Sequence, residues 1–279
     1  MDSVKSSPLS EQAALQNILE QIEYRVARTR DELEKSYCLV YKEYLKRGYL
    51  KESNSSLKIS LFNALPQTTT FVSLFENEVF ATATVIPDSP LGLPMDAIYH
   101  QEMGVLRKHN KKICEISMLA SDTELFPSGI SMLLNSKKML FIFNLFKLIF
   151  DYVYRVLRLD CICITIHPKH SLTYEFLLFK DLGGLKSYSS VNDAPAIAKY
   201  IEITTLEQEC KEKNKEGVFK MFFQRNTPAE YYGNKCSLSI EDMKYFFIEK
   251  SDTFVNASVL ELEYIKQCYP AYNFSLISA

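Results

Sequence analysis

The segment Asp160–Ile166 constrains the fold more than any other part of this sequence, because it is a short apolar run bounded by polar residues. Such a run is typical of a strand that is covered on both faces, in the middle of a sheet flanked by helices. It follows residues 137–157, which are apolar almost all round and therefore predict a buried helix. A buried helix leading into a covered strand predicts an α/β architecture.

Hydrophobic periodicity along the rest of the chain predicts elements in the order β-α-β-β-loop-β-α-β-α-β-β. A helical stripe covers residues 30–48, and Glu76 and Asn77 form a tight hairpin turn between two strands. Residues 168–179 predict a further helix, which the sequence Asp181-Leu-Gly-Gly ends. This order indicates a mixed central sheet with helices on both faces.

The character of the sequence changes after Thr205, where Lys, Glu and Asn dominate. Two helical patterns follow, and the first begins with Ser239 and Asp242, which have the spacing of a capping box. We therefore predict a flexible segment 1–20, an α/β domain over 21–205 and a helical C-terminal extension over 206–279. The extension could cover the core, join two protomers or contact a partner.

Charge and cysteine content narrow the class of protein. The formal net charge is -2, which does not suggest a nucleic-acid binder. The seven cysteines are odd in number and scattered, with no CxxC pair and no Cys/His cluster at zinc spacing, so we expect reduced thiols and no metal site. No signal peptide or membrane-spanning stretch is evident, and the expected location is cytoplasmic.

Four segments, taken together, resemble one family. They are Leu39-Val-Tyr-Lys-Glu-Tyr-Leu-Lys-Arg-Gly-Tyr-Leu50; Leu65-Pro-Gln-Thr-Thr-Thr-Phe-Val72 with Val85-Ile-Pro-Asp-Ser-Pro-Leu-Gly-Leu-Pro-Met-Asp96; Glu115-Ile-Ser-Met-Leu-Ala120; and Pro168-Lys-His170 through Tyr188-Ser-Ser-Val-Asn-Asp-Ala-Pro-Ala196. Their order and spacing are similar to those of FeeM-type N-acyl amino acid synthases, which have the GNAT acyltransferase fold and are related to LuxI-type acyl-homoserine-lactone synthases. The resemblance implies a GNAT-like mixed sheet and transfer of an acyl group.

The chain departs from the family pattern at three places. The family usually has Gly where Asp193 stands, and often a small or basic residue where Met118 stands. The Gly-rich pyrophosphate loop of coenzyme-A-dependent GNAT enzymes is absent, since only Gly129 lies between Ser121 and Asn135. The resemblance implies an acyl carrier protein as donor, with its acyl group on a phosphopantetheine thioester, no bound cofactor, and an amino acid as acceptor. Coenzyme A stays open as an alternative carrier.

Acyl transfer to an amine requires a base for the amine, stabilisation of the oxyanion and release of the thiol. Glu115 is the candidate base, because a carboxylate in apolar surroundings has a raised pKa, and Ser117 should lie on the same face of its strand. The alternative is a buried Glu115 that ties the sheet through an Arg or Lys. In this fold the backbone N–H groups of Met118 and Leu119 would form the oxyanion hole.

Further candidates surround this strand. Tyr174 would protonate the leaving thiol, or it would only pack in the core. His170 would orient the substrate or cap its helix. Asn192 would bind polar groups of the acceptor or shape an Asx-turn. The resemblance implies that the Pro-rich loop with Ser89, Leu91 and Met95 borders the active site, which suggests a lid over the acyl chain. The alternative is a plain connection stiffened by proline.

One apolar residue and one group of basic residues have the same kind of ambiguity. Phe143, on the apolar helix, would line an acyl tunnel or belong to the core. Arg107, Lys111, Lys137 and Lys138 would attract an acidic carrier protein, or form an ordinary solvated face.

Two other functions remain open at this stage. One is a catalytically silent domain that binds an acylated ligand, which the departures at Met118 and Asp193 motivate. The other is a homoserine-lactone-type signal synthase.

Overall fold

The computed structural model describes residues 17–124, 131–132, 135, 138–223 and 227–276. Within them, a seven-stranded sheet has the strand order β1-β2-β3-β4-β5-β7-β6. The strands are β1 Glu23–Val26, β2 Thr69–Phe75, β3 Glu78–Pro87, β4 Ile113–Ser121, β5 Cys161–Ile166, β6 Lys180–Tyr188 and β7 Ala194–Glu202. Neighbouring strands pair antiparallel except β4 and β5, which are parallel.

Helices lie on both faces of the sheet, as the sequence predicts. They are α1 Arg30–Lys46, α2 Asp96–Lys108, α3 Lys138–Asp151, α4 Ser171–Phe176, α5 Ile203–Glu212, α6 Glu216–Phe222, α7 Ile240–Lys244 and α8 Val259–Cys268. Helix α3 continues as a π-helical segment over Tyr152–Leu157 and stops at Arg158, which has a left-handed backbone. The predicted fold class, a GNAT-like mixed sheet flanked by helices, is confirmed.

The prediction that Asp181-Leu-Gly-Gly ends a helix is wrong. Helix α4 stops at Phe176, and Gly183 and Gly184 lie inside strand β6. The reason is a contact between distant parts of the chain: a Cβ on Gly183 would lie 2.5 Å from Cδ1 of Tyr99. Glycine is therefore needed there for the close approach of a ring from α2 and does not mark a turn.

Two layers of core cover the two faces of the sheet. On one face, α3 contributes Phe146 and Ile149 to a cluster that also contains Ile162 of β5 and Leu206 of α5. On the other face, α1 packs against the extension, and Tyr37 of α1 meets Phe246 edge to face at 5.4 Å between ring centroids.

The C-terminal extension runs from one face of the sheet to the other. Helix α5 packs with α3, whereas α7, α8 and the π-helical segment Tyr245–Glu249 pack over α1. Between them the chain passes the β1 edge, where the N–H of Cys236 donates to the carbonyl of Ala27 at 2.9 Å. The extension thus contributes apolar side chains to both cores.

Two smaller predictions are also confirmed. The Ser239 side chain accepts a hydrogen bond from the Asp242 N–H at 3.1 Å, and the Asp242 carboxylate accepts one from the Ser239 N–H at 3.0 Å. All seven cysteines lie in the described part of the chain and are free thiols. Cys161 and Cys163 share one face of β5, in the cluster formed with α2.

Candidate active site

The sheet opens between its two parallel strands. β4 and β5 pair from Ile113–Cys161 to Glu115–Cys163 and then separate, because β4 continues along β3 while β5 continues along β7. Residues 116–121 of β4 therefore turn an edge without a strand partner toward the gap. Backbone N–H and C=O groups on such an edge can bind an extended chain.

A β-bulge lies on β4 just beyond the separation. Thr84 pairs with Ser117 and Thr82 with Ala120, so Met118 and Leu119 together oppose Ala83. Met118 has a φ of 55°, in the left-handed region. The bulge turns Leu119 to the α3 face and Met118 to the α1 face, where its sulfur lies 3.6 Å from Nδ2 of Asn63. A bulge frees backbone groups from the ladder, as the proposed oxyanion hole requires.

The gap opens into a cleft with a volume of about 610 Å³. This volume falls within the usual range for a small-molecule site. The residues that line it come from α1 and the segment after it, β4, α3, β5, α4 and the β6–β7 connection. Its lining residues include Tyr44, Arg47, Lys58, Glu115, Ser117, Met118, Leu119, Ile142, Phe143, Phe146, Ile164, Ile166, His170, Tyr174, Leu177 and Tyr188.

Glu115 lies at the point where the strands separate and is 2 % exposed. Its Oε2 accepts a hydrogen bond from the backbone N–H of Met95 at 2.8 Å. No described Arg or Lys forms an ion pair with it. Within the described residues, Glu115 therefore does not tie the sheet together through a basic residue. The carboxyl group instead holds the start of α2 through a backbone N–H and borders the cleft.

Burial raises the pKa of Glu115 to about 8, with the Met95 N–H opposing the shift and Asp96 adding to it. The raised pKa brings this carboxyl group closer to the pKa of an amine than an ordinary carboxyl group is. A proton therefore passes from an ammonium group to Glu115 at a smaller free-energy cost, which suits a general base. Burial also raises the pKa of the neighbouring Tyr44 to about 12; Arg47 opposes that shift and Glu115 adds to it.

The other two predicted catalytic residues also line the cleft. Ser117 is half-buried, two residues beyond Glu115 on β4. Tyr174 of α4 packs its ring edge to face against Phe146 and Phe179, and burial raises the pKa of its hydroxyl. The packing role of Tyr174 is thus visible in the structure, and its proposed acid role stays a prediction.

The histidine that caps a helix in this region is His167 and not His170. The side chain that caps the short helix Pro168–His170 is His167, whose Nδ1 accepts the Lys169 N–H at 3.2 Å. His170 forms no side-chain cap and lines the cleft instead, and burial lowers its pKa. The capping alternative for His170 is therefore wrong, and its imidazole borders the cleft.

Four predicted substrate contacts do not line the cleft. The Ser89 hydroxyl accepts the Leu91 N–H within the Pro-rich turn, and Leu91 packs against the α1 core. The Met95 side chain is fully buried under α2, so only its N–H reaches the site. The Asn192 side chain donates to the carbonyl of Gly48 at 3.0 Å.

The β6–β7 turn explains one departure from the family. Asn192 and Asp193 both have left-handed backbones, with φ of 55° and 58°. Glycine adopts this conformation without strain, and Asn and Asp adopt it more readily than other residues. Asp193 therefore keeps the turn that a glycine would form.

Two of the four basic residues that were predicted to attract a carrier protein lie away from the open end of the cleft. Arg107 and Lys111 lie at the end of β4 where β4 and β5 are still paired, away from the open end of the cleft. Arg107 donates to Asp88 and Asp96 at 2.8 and 2.7 Å, and Lys111 pairs with Glu202. Because their charges are neutralised, these two residues are poor candidates for attracting a carrier protein.

The other two basic residues, Lys137 and Lys138, stay predictions as contacts for a carrier protein. Lys137 lies outside the described residues. Lys138 begins α3, but its side chain is outside them too.

One wall of the cleft is apolar. Phe143 lines it as predicted and stacks on Phe176 at 5.8 Å between ring centroids. It shares the α3-side core with Ile164 and Leu177, which line the same wall. Sequence analysis missed the opposite wall, where Tyr44, Arg47 and Lys58 come from α1 and the loop after it.

No cluster of side chains that could hold a metal ion occurs among the described residues. Over the same residues, none of the helices combines the length and the apolarity needed to cross a bilayer.

The comparisons with known proteins agree with this geometry. The model of the family "N-acyl amino acid synthase FeeM" matches residues 35–202, from α1 to the end of β7. The match spans more than half of the chain and leaves the C-terminal extension outside. A search of curated proteins found no match.

Several solved structures are similar to the chain. FeeM, an N-acyl amino acid synthase from uncultured soil microbes, is 29% identical, with a TM-score of 0.55 over 67% of this chain and 93% of that one. BjaI, a coenzyme-A-dependent acyl-homoserine lactone synthase, is 11% identical, with a TM-score of 0.49 over 75% and 94%. The acyl-homoserine lactone synthase LasI is 13% identical, with a TM-score of 0.43 over 65% and 89%.

Proposed function

The chain belongs to the FeeM family of N-acyl amino acid synthases and is an acyltransferase, and on that basis we propose its donor and acceptor. We propose that it transfers a long-chain fatty acyl group from an acyl carrier protein thioester to the α-amine of an amino acid. The observation that carries this proposal is the opening of the sheet at Glu115 into a cleft with one apolar wall. The name of the family supports the amino acid as acceptor.

The donor arm fits the separated strands. Residues 116–121 of β4 extend over about 20 Å at 3.3 Å per residue, and the amides of a phosphopantetheine arm can pair with that edge. The acyl chain then packs on the apolar wall with Phe143, Ile164 and Leu177. The scarcity of glycine between Ser121 and Asn135 supports a carrier protein over coenzyme A, since it disfavours a loop that cradles pyrophosphate.

The reaction has two steps at one carbon atom. Glu115 accepts a proton from the α-ammonium of the acceptor, and the free amine attacks the thioester carbonyl. The backbone N–H groups at the bulge of Met118 and Leu119 stabilise the resulting oxyanion, and removal of one such donor typically costs about 3–4 kcal/mol. The C–S bond then breaks, the attacking nitrogen loses its second proton as the amide forms, and the thiol leaves with that proton. A thiol with a pKa of about 8.5 needs little acid assistance, so any help from Tyr174 is secondary.

The test is product identification by mass spectrometry. Purified protein is incubated with acyl carrier protein charged with acyl chains of several lengths and with mixed amino acids. We expect N-acyl amino acids to form, faster from the carrier protein than from acyl-coenzyme A. A parallel reaction with S-adenosylmethionine as the only acceptor identifies a homoserine-lactone synthase. Retention of an acyl ligand without any product would favour a silent binding domain.

A further inference from the structure

The two walls of the cleft differ in polarity. The wall on the α3 side is apolar, whereas the opposite wall carries the cationic side chains Arg47 and Lys58. An uncharged acyl chain accounts for the first wall and leaves the second without a function. The two cations differ in what neutralises them.

Arg47 already has a counter-ion. Its guanidinium lies 2.8 Å from a carboxylate oxygen of Glu43, one turn earlier in α1. The Glu43 side chain is only 8% exposed, whereas the Arg47 side chain is 33% exposed. The charge of Arg47 is therefore already paired with a carboxylate of the protein.

Lys58 has no such partner among the described residues. Its ammonium forms no hydrogen bond or ion pair with them, and burial lowers its pKa with no carboxylate opposing the shift. A desolvated ammonium without a counter-ion costs free energy, and an anionic ligand would recover it.

The backbone keeps Lys58 beside the cleft. The Lys58 N–H donates to the carbonyl of Tyr37 at 3.1 Å, which fixes it against α1. Its neighbours Leu57 and Ile59 pack into the α1-side core. Of these three consecutive residues, Lys58 is the one that lines the cleft.

The chemistry of the reactants identifies the anion. The acyl chain and the thioester are uncharged, and the phosphate of a phosphopantetheine arm lies at the far end of the arm from the thioester. An amino acid, by contrast, must bring its own carboxylate into the cleft with its amine. This inference rests on the proposed function: we propose that Lys58 binds the α-carboxylate of the acceptor and so selects amino acids over other amines.

A binding experiment tests this assignment without turnover. Calorimetry compares N-dodecanoylglycine with its primary amide, two probes that differ only in the carboxylate charge. We expect the wild type to bind the acid about 10- to 100-fold more tightly, which is typical of a hydrogen bond to a charged group. Lys58→Met should bind both probes equally, with affinity for the amide unchanged, and Lys58→Arg should keep the preference.

Lys42→Met is the matched control, because Lys42 is exposed on α1 and its loss removes the same charge away from the cleft. It should bind as the wild type does. A preference for the acid that survives in Lys58→Met, or a wild type without preference, would overturn the assignment. Thermal unfolding of each variant shows that it is folded.

The outcome is separable from that of the proposed function. If the wild type forms no N-acyl amino acid but its preference for the acid depends on Lys58, the proposed reaction fails and the carboxylate site stands. If products form and Lys58→Met discriminates as before between an amino acid and its decarboxylated amine, the reaction stands and the role of Lys58 fails.

Discussion

Glu115 combines burial with access to a cleft, and this combination makes a sharp test possible. It acts as a base only when ionised, and its pKa is raised to about 8. We therefore expect kcat/KM to rise with pH through about 8 and to level off above it. Glu115→Gln should lower kcat/KM by about 10²- to 10⁴-fold and remove this rise.

The control for that variant is Glu78→Gln, because Glu78 is an exposed carboxylate at the β2–β3 hairpin and does not line the cleft. It should leave the pH profile unchanged. If the rise through pH 8 persists in Glu115→Gln, another group titrates there, and Glu115 loses the role of base.

Tyr174 lines the same cleft, but its burial raises the pKa of its hydroxyl and makes proton donation harder. We expect Tyr174→Phe to lower kcat by less than about 10-fold, because a thiol is already a good leaving group. Initial rates with the thioester donor measure this. A loss of about 100-fold or more would instead assign Tyr174 the role of general acid.

The bulge of β4 depends on a left-handed residue, and two isomeric substitutions probe it. At Met118, with φ of 55°, a β-branched Ile is strained whereas Leu is less so. We expect Met118→Ile to be about 1–2 kcal/mol less stable than Met118→Leu in urea unfolding. At Ile116, on the regular part of the same strand, Ile→Leu should instead be mildly destabilising. Equal stability of the two Met118 variants would contradict a strained bulge.

The apolar wall contributed by α3 should set the preference for long acyl chains. Phe143→Ala removes a ring that lines the cleft, so we expect kcat/KM to fall by about 10-fold for long chains and little for short ones. Competition between carrier-bound chains of two lengths measures the ratio. Val105→Ala, at an exposed position on α2, is the control. An unchanged ratio would place the acyl chain elsewhere.

Sequence alone predicts the parts of this fold that depend on local chemistry. The buried strand β5, the hairpin at Glu76 and Asn77 and the cap at Ser239 each follow from residues close together in the chain. Gly183 was misassigned because its role comes from Tyr99, which lies far away in sequence. Such contacts exist only once the sheet has formed, so no local sequence pattern predicts them.

The candidate site follows the same rule. Glu115 could be found because an acidic residue in an apolar strand is unusual by itself. Lys58 could not, since a lysine between apolar residues of a loop is ordinary until the fold brings it into the cleft. His170 and His167 are equally good caps by spacing, and only the geometry of Lys169 distinguishes them.

The C-terminal extension contributes to the core of the protein, and substitution of one of its buried residues tests that contribution. Phe246 is fully buried against Tyr37. We expect Phe246→Ala to cost about 3–5 kcal/mol and to lower Tm by roughly 10 °C. Val259→Ala, at a position 76% exposed, should leave Tm unchanged in the same calorimetric scan. A Tm close to wild type in Phe246→Ala would mean that the extension is only loosely attached.

The path of the extension also has a consequence for biosynthesis. Every strand of the sheet leaves the ribosome before the segments that complete both of its cores, because β7 ends at Glu202 and those segments follow it. The nascent chain must therefore hold apolar faces in water while translation continues. Chaperones that shield such faces would find their substrate in this interval.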